Sequence, residues 1–487
     1  MHITEVLAAL PLDRASSTPL FRQLYAQIKD AILRGAIDPG MQLPPTRQSC
    51  ALFGVSRHTV LNAYDQLSAE GYLSGSVGRG TFVSAHVPAP AKAARVRGVL
   101  RPLSERGQAH AGAMGNATHH DGPLRAFRVG MPGIDLFPFD VWSRLEARHW
   151  RRPDYRMGYG DPAGYQPLRE LLCVYLKAAR GVNCTAQQII ITSGSQQALF
   201  LIATLLLAPG DAAWIESPGY QGARAALLAG GAQVCPVPLD AQGIDVAYGA
   251  AHYPHAKLAM VTPSHQLPLG MTMSLQRRLD LLAWAAAKQA WVVEDDYDSE
   301  YRYTGAPLAS LQSLDRFDSV LYVGTLSKVL FPGLRLGYLV VPPALAEPFA
   351  RAKAAIDRHS AIVPQMTLAA FIEAGHFGRH IKRTREAYAE RRATLIDGLE
   401  RSLGEHLICG PADTGLDLCV HFRRRRGEAA LVKAGSAHGI ELRALSHYAD
   451  PAAPPACASA PGLLLGFAAI APAEIRHGLA VLTRLMA

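Results

Sequence analysis

Cysteine is scarce in this 487-residue chain. The seven present (Cys50, Cys173, Cys184, Cys235, Cys409, Cys419 and Cys457) make no CxxC pair and no metal-ligand spacing. That argues against a disulfide framework and a zinc site, and for a reducing compartment. No apolar run is long enough to cross a bilayer: the longest, Ala198–Ala208, is closed by Pro209-Gly210. The N-terminus has no Lys or Arg ahead of a small-residue cleavage site, so no signal peptide is read. Charged residues are only 18% of the chain, but hydrophobic ones are 49%, which excludes global disorder. A soluble cytoplasmic protein of about two or three domains is expected, large enough to bury full cores. The charge that is present is unbalanced. A net +9 suits a polyanionic partner without specifying a fold.

Three regions separate on pattern. Residues 15–84 are dense in short helical patterns and end in a glycine-rich hairpin. Residues 85–122 lose periodicity: Pro88-Ala89-Pro90-Ala91-Lys92 leads into Arg95, Arg97, Arg101 and Arg106. In composition this is a flexible basic linker, either a solvated tether or one that also touches DNA phosphates. Residues 123–487 alternate strand-like runs with helical spacing. Gln188–Thr192, Ala212–Glu216, Leu258–Thr262, Ala290–Glu294 and Ser319–Val323 predict an α/β domain with a mostly parallel sheet.

In the first region, Thr18-Pro19 reads as a helix start, a hydroxyl N-cap followed by proline at the first helical position. Leu20, Leu24, Ile28 and Ile32 share one face, and Gly35 closes the helix. A second helix runs from near Pro45 to Phe53. After Gly54-Val55, Ser56 caps a third, with Val60, Ala63, Tyr64 and Leu67 on its buried side. Tyr72-Leu73-Ser74, a turn at Ser76–Gly80 and Thr81-Phe82-Val83 make a two-stranded wing. The whole is an α+β winged helix-turn-helix. Candidate DNA contacts are Arg47, Ser56, Arg57, His58, Thr59 and Tyr64, with Arg79 and Gly80 at the wing tip.

This segment resembles the GntR family of bacterial transcription regulators. The resemblance rests on Leu43-Pro44-Pro45-Thr46-Arg47, Gly54-Val55-Ser56-Arg57-His58-Thr59-Val60, Ala69-Glu70-Gly71-Tyr72-Leu73 and Gly78-Arg79-Gly80-Thr81-Phe82-Val83. It departs at Pro45, where the family usually has a capping Ser that touches phosphate. Ser49 and Cys50 replace the usual Leu and Ala, so Ser49 is expected to soften a core position, and His58 stands where Asn is common.

In the third region, three segments converge on one chemistry. Thr325-Leu326-Ser327-Lys328 offers a lysine in an apolar setting, able to lose its proton and form a Schiff base. Arg335 follows in Pro332-Gly333-Leu334-Arg335 and could hold a phosphate with the hydroxyls. Glu294-Asp295-Asp296-Tyr297 places carboxylates at a strand's C-terminal end, where α/β sheets bind ligands. Ser193-Gly194-Ser195-Gln196-Gln197, between a strand and a helix, makes a phosphate cradle.

From about Phe127 onward the chain resembles the fold-type I, aspartate-aminotransferase-like enzymes that use pyridoxal 5'-phosphate. The resemblance implies Lys328 as the Schiff-base lysine, Asp295 on the pyridinium nitrogen, Tyr297 on the ring hydroxyl and Tyr220 stacked on the ring. Ser195, Gln196, Gln197, Thr325, Ser327 and Arg335 would hold the phosphate, and Tyr159 would reach the phosphate of a partner subunit. In Thr262-Pro263-Ser264-His265-Gln266-Leu267-Pro268-Leu269-Gly270, Leu267 stands where aminotransferases have an Asn that bonds the ring hydroxyl. His265 is a candidate helper there and a candidate effector contact. No Arg for a substrate carboxylate occurs near Leu463-Leu464-Leu465-Gly466-Phe467, and Arg443 is the nearest candidate.

The two modules in this order resemble the MocR subfamily of GntR regulators. That implies a homodimer on double-stranded operator DNA, with RNA polymerase a further candidate partner and nucleoid association when bound. It implies that pyridoxal phosphate, or an amine or amino acid joined to it as an aldimine, biases DNA binding. The alternative is a working aminotransferase with an accessory DNA-binding domain. Leu267 and the uncertain Arg443 predict weak or partial transamination at most.

Overall fold

The computed structural model describes residues 3–76, 80–85, 102–113, 122–305, 308–424 and 426–487. It divides into two compact units, Met1–Pro102 and Leu103–Ala487.

The first unit packs helices Leu20–Leu33, Thr46–Phe53 and Arg57–Ala69 against a wing of β1 (Leu73–Ser76) and β2 (Gly80–Val83), paired antiparallel. The apolar face of the first helix is buried as its spacing predicts: Leu24 and Ile28 are fully covered and meet Val60, Ala63 and Leu67. That helix begins one residue late. Pro19 is its N-cap, without a side-chain bond, so Thr18 does not cap it. Gly54 ends the second helix in the left-handed region, which glycine enters without strain. A short helix, Ile3–Ala8, lies ahead of the expected start at residue 15 and sends Val6 and Leu7 into the same core.

Ser49 corrects the expectation of a softened core. It is fully buried, its Oγ donates to the Pro44 carbonyl (3.1 Å), and it pairs with the Tyr64 hydroxyl at 2.9 Å. Two buried hydroxyls thus satisfy each other.

The second unit is built on an eight-stranded sheet. Its strands are β3 (Ile189–Thr192), β4 (Ala212–Ser217), β5 (Gln233–Asp240), β6 (Gly243–Ile244), β7 (Leu258–Val261), β8 (Trp291–Asp296), β9 (Val320–Thr325) and β10 (Gly337–Val340). Their spatial order is β3-β10-β9-β8-β7-β4-β5-β6. The run from β9 through β5 is parallel, whereas β10 is antiparallel to both neighbours and β6 to β5. Residues of β3, β7, β9 and β10 are all buried, as strands covered on both faces must be.

A smaller antiparallel sheet follows, ordered β11-β12-β14-β13: β11 (Leu407–Cys409), β12 (Asp417–Phe422), β13 (Arg443–Ala444) and β14 (Gly462–Gly466). The 28-residue helix His376–Leu403 packs on helix Pro472–Met486 beside it. Phe127 bridges to Gly466, where any Cβ would collide with the Arg128 carbonyl. Glycine there lets the 127–131 segment cross the small sheet and deliver Gly130 to the site. Within residues 85–122, read as linker, Glu105–Ala113 is helical and packs on helix Gln221–Gly230. Arg95, Arg97 and Arg101 lie outside the described residues.

Candidate functional site

At the helix-turn-helix, Ser56 takes the N-cap. Its Oγ accepts the Thr59 N–H (3.2 Å) and pairs with Thr59 Oγ1 at 2.9 Å. Both hydroxyls therefore hold the helix start, which aims exposed Arg57 and His58 outward together with exposed Arg47. Tyr64 is a correction: it is buried and bonded to Ser49, so it is a core residue and not a DNA contact. Gly80 is exposed at the wing, with Gln42 packed where a Cβ would project. Arg79 lies outside the described residues.

In the large unit, the C-terminal ends of β3, β8 and β9 open onto a cavity of about 500 Å³. Of the residues expected to meet a cofactor, Ser195, Gln196, Tyr220, Asp295, Tyr297, Thr325, Ser327, Lys328 and Arg335 line it. The sheet explains this, because successive parallel strands release their loops at the same edge. The N-terminus of helix Ser195–Leu206 faces the cavity behind Gly194, which is held at φ +109° with the Arg335 guanidinium against it. A helix N-terminus, hydroxyls and a guanidinium make an anion site.

Three adjacent acids do three different jobs. Glu294 accepts the Leu311 and Gln312 N–H groups, both at 2.9 Å. Asp296 takes Arg180 (2.7 Å) and Ser299 (2.8 Å). Asp295, between them, is buried in the cavity wall, and its Oδ1 has no hydrogen-bond partner. Burial first, then the charges of Asp296, Glu216 and Asp298, push its carboxyl up to about 7, against the pull of Lys328. Lys328 donates to the Gly130 carbonyl (2.6 Å). Burial pulls its ammonium below the usual lysine range, and Asp417, Asp298 and Asp295 oppose that.

Tyr297 is fixed from behind. Its hydroxyl meets His265 Nδ1 at 3.0 Å, and the same nitrogen is 3.0 Å from Asp298 Oδ2. Burial disfavours the imidazolium, but Asp298 outweighs this and holds His265 above the usual histidine range. His265 does not line the cavity; it acts through Tyr297. Leu267 does line it, so the place of the usual Asn is apolar.

Gln197 does not join the phosphate cradle. It turns back, with Oε1 accepting the Ser193 N–H (2.8 Å) and Nε2 donating to Asp357 (2.8 Å). Tyr159 is exposed and lines a separate hollow with Arg358 and His359. Arg443 stands on the cavity wall with His447 and Tyr448. Sequence reasoning missed Asp417, buried at the start of β12, whose Oδ1 accepts the Gly130 N–H (2.8 Å). A lone acid inside Leu416-Asp417-Leu418-Cys419-Val420 was the available signal.

Aminotransferases of class I and II match residues 137–482, and bacterial regulatory proteins of the gntR family match residues 20–83. The probable rhizopine catabolism regulatory protein MocR of Rhizobium meliloti is 39% identical over 96% of this chain and 94% of its own length. The chain belongs to the MocR subfamily of GntR regulators. The pyridoxine biosynthesis transcriptional regulator PdxR of Corynebacterium glutamicum is 31% identical over 91% of this chain and 92% of its own. Among solved structures, a Pyrococcus horikoshii kynurenine aminotransferase covers 80% of this chain and 96% of its own at a TM-score of 0.68 and 26% identity. As a MocR-type protein the chain is a DNA-binding transcription regulator with an aminotransferase fold, and pyridoxal phosphate is its cofactor. The site fits that group: Asp295 Oδ1 is an orphaned buried acceptor suited to a protonated ring nitrogen, and the Ser195–Arg335 cradle suits a phosphate dianion. No described helix is long and apolar enough to cross a membrane.

Proposed function

We propose that this MocR-type protein is a homodimeric cytoplasmic regulator in which occupancy of the Lys328 cavity sets how the winged helix unit binds operator DNA. The cofactor's chemistry is condensation of its aldehyde carbon with a primary amine, on a ring that withdraws electrons. Lys328 is the amine this chain supplies. Asp295 holds a proton on the ring nitrogen, Tyr297 bonds the ring hydroxyl, and Tyr220 covers the ring face. Ser195, Gln196, Thr325, Ser327 and Arg335 take the phosphate, and the exposed Tyr159 belongs to the site of the partner subunit. Arg47, Arg57 and His58 face DNA.

The carrying observation is the pairing of a cavity lined by Lys328, Asp295, Tyr297 and the Ser195–Arg335 cradle with a wall where Leu267 stands in place of the aminotransferase Asn. Leu267 offers no hydrogen bond, and Tyr297 relies on His265 and Asp298. This favours sensing over turnover. A ligand shifts DNA binding only by its differential affinity for two arrangements of the dimer, and the stretch ahead of the docked Glu105–Ala113 helix sets how far apart two recognition helices can stand. The test is a turnover assay over amino-acid and keto-acid pairs alongside DNA binding. The expected result is slow or absent transamination with cofactor-responsive DNA binding. Rapid product formation would reverse the assignment.

A further inference from the structure

The ligand class follows from what stands beside Lys328, and this rests on the reading above of an amine-responsive site. Gly130 is held at both ends: its carbonyl accepts Lys328 Nζ (2.6 Å) and its N–H donates to Asp417 Oδ1 (2.8 Å). One peptide segment therefore ties the reactive amine to a buried carboxylate. Asp417 is fixed as the first residue of β12, paired with Gly466 of β14, the glycine that lets the 127–131 segment through. Its side chain is buried, and the Gly130 N–H holds its Oδ1.

A ligand amine that reaches the place of Lys328 Nζ brings its own α-carbon alongside Gly130. An α-carboxylate there would need the Gly130 N–H, which Asp417 already occupies, and would lie against the like charge of Asp417 in a low-dielectric wall. Leu267 is apolar, and behind it Cys419, Leu445 and Leu464 form an apolar patch with Val129 and Leu269. The ionic neighbours felt at Nζ are Asp417, Asp298 and Asp295, all acidic. Arg443, a cation on this wall, pairs across the small sheet with Leu464 and stands beside His447 and Tyr448.

The geometry points to a site that rejects α-amino acids and accepts primary amines whose amino-bearing carbon carries no carboxylate. Asp417 is the specificity determinant: it supplies an acceptor for an ammonium or hydroxyl where an α-carboxylate would otherwise bind. The accepted class is chemically the product of amino-acid decarboxylation, so a decarboxylation reaction is the kind that supplies it.

The test uses pairs that differ only by the α-carboxylate: serine against ethanolamine, ornithine against putrescine, glutamate against γ-aminobutyrate. Full-length protein loaded with pyridoxal phosphate is titrated with each, and the change in the cofactor's visible absorbance gives the half-saturating concentration. The decarboxylated member of at least one pair is expected to act at a concentration at least tenfold lower. Asp417→Asn keeps an acceptor for the Gly130 N–H but removes the charge, and should bring that ratio toward one by improving the α-amino acid. Equal responses within every pair in the wild type, or an unchanged ratio in Asp417→Asn, overturns the assignment of Asp417 while leaving amine sensing intact. If no amine of either kind alters the spectrum of the loaded protein, the amine-sensing reading falls, and this inference with it.

Discussion

Replacing Asp295 with Asn should move stability and cofactor affinity in opposite directions. In the cofactor-free protein, burial and neighbouring carboxylates raise the Asp295 carboxyl from 3.8 to about 7. A carboxyl raised on folding binds its proton more tightly in the native state, so it contributes instability that grows as pH rises from about 4 to about 7 and is constant above. About three units at ~1.4 kcal/mol each give a ceiling near 4 kcal/mol at pH 8 and little at pH 4. Asn carries no charge and escapes this cost, so cofactor-free Asp295→Asn should be more stable than wild type at pH 8, with the advantage fading toward pH 4. With the cofactor the sign reverses. Loss of a charge-assisted buried hydrogen bond, about 1.5–3 kcal/mol, should weaken pyridoxal phosphate by roughly 10- to 150-fold. Urea unfolding of stripped protein at several pH values, beside cofactor titration by absorbance, reads both. A variant less stable than wild type at pH 8, or one with unchanged cofactor affinity, would falsify the placement of Asp295 against the ring nitrogen.

Arg57→Ala should weaken operator binding by about 1–3 kcal/mol in anisotropy titrations, and unchanged affinity would remove Arg57 from the interface. Ser49→Ala leaves the buried Tyr64 hydroxyl short of its partner and should cost about 1–3 kcal/mol in thermal unfolding, with DNA contacts untouched. His265 is held above its usual range by Asp298, so its stabilisation is present at acidic pH and is lost as pH rises through the folded value. His265→Gln should therefore cost most at low pH, and a cost that grows on the alkaline side would contradict the His265–Asp298 pair. Lys328→Ala should abolish the covalent attachment of pyridoxal phosphate that borohydride reduction fixes, read as intact mass.

The strand runs and the helix-turn-helix were readable because each is a local pattern. Gln188–Thr192 appears as β3 and Ala290–Glu294 as β8, displaced by a residue or two at their ends. Ser56 caps its helix as spacing demands. What escaped depends on side-chain direction and distant partners. Gln197 follows Ser195 by two residues in the first turn of one helix, about 200° around its axis, and that turns it back to Ser193 and Asp357. Tyr64 lies on the buried side that its spacing gives, but its partner there, Ser49, which makes it a core residue and not a DNA contact, comes from another helix. Asp417 lies far along the chain from Lys328, and only the crossing of Gly130 over the small sheet joins them.

In the function proposed above, occupancy at Lys328 governs DNA binding. Fluorescence anisotropy on DNA from upstream of the protein's own gene, at fixed salt, tests it most directly. Cofactor-free protein, protein loaded with pyridoxal phosphate, loaded protein with an added amine, and Lys328→Ala given pyridoxal phosphate are compared. Affinity or footprint should differ among the first three, and Lys328→Ala should not follow the loaded wild type. Identical binding in all four states would contradict it.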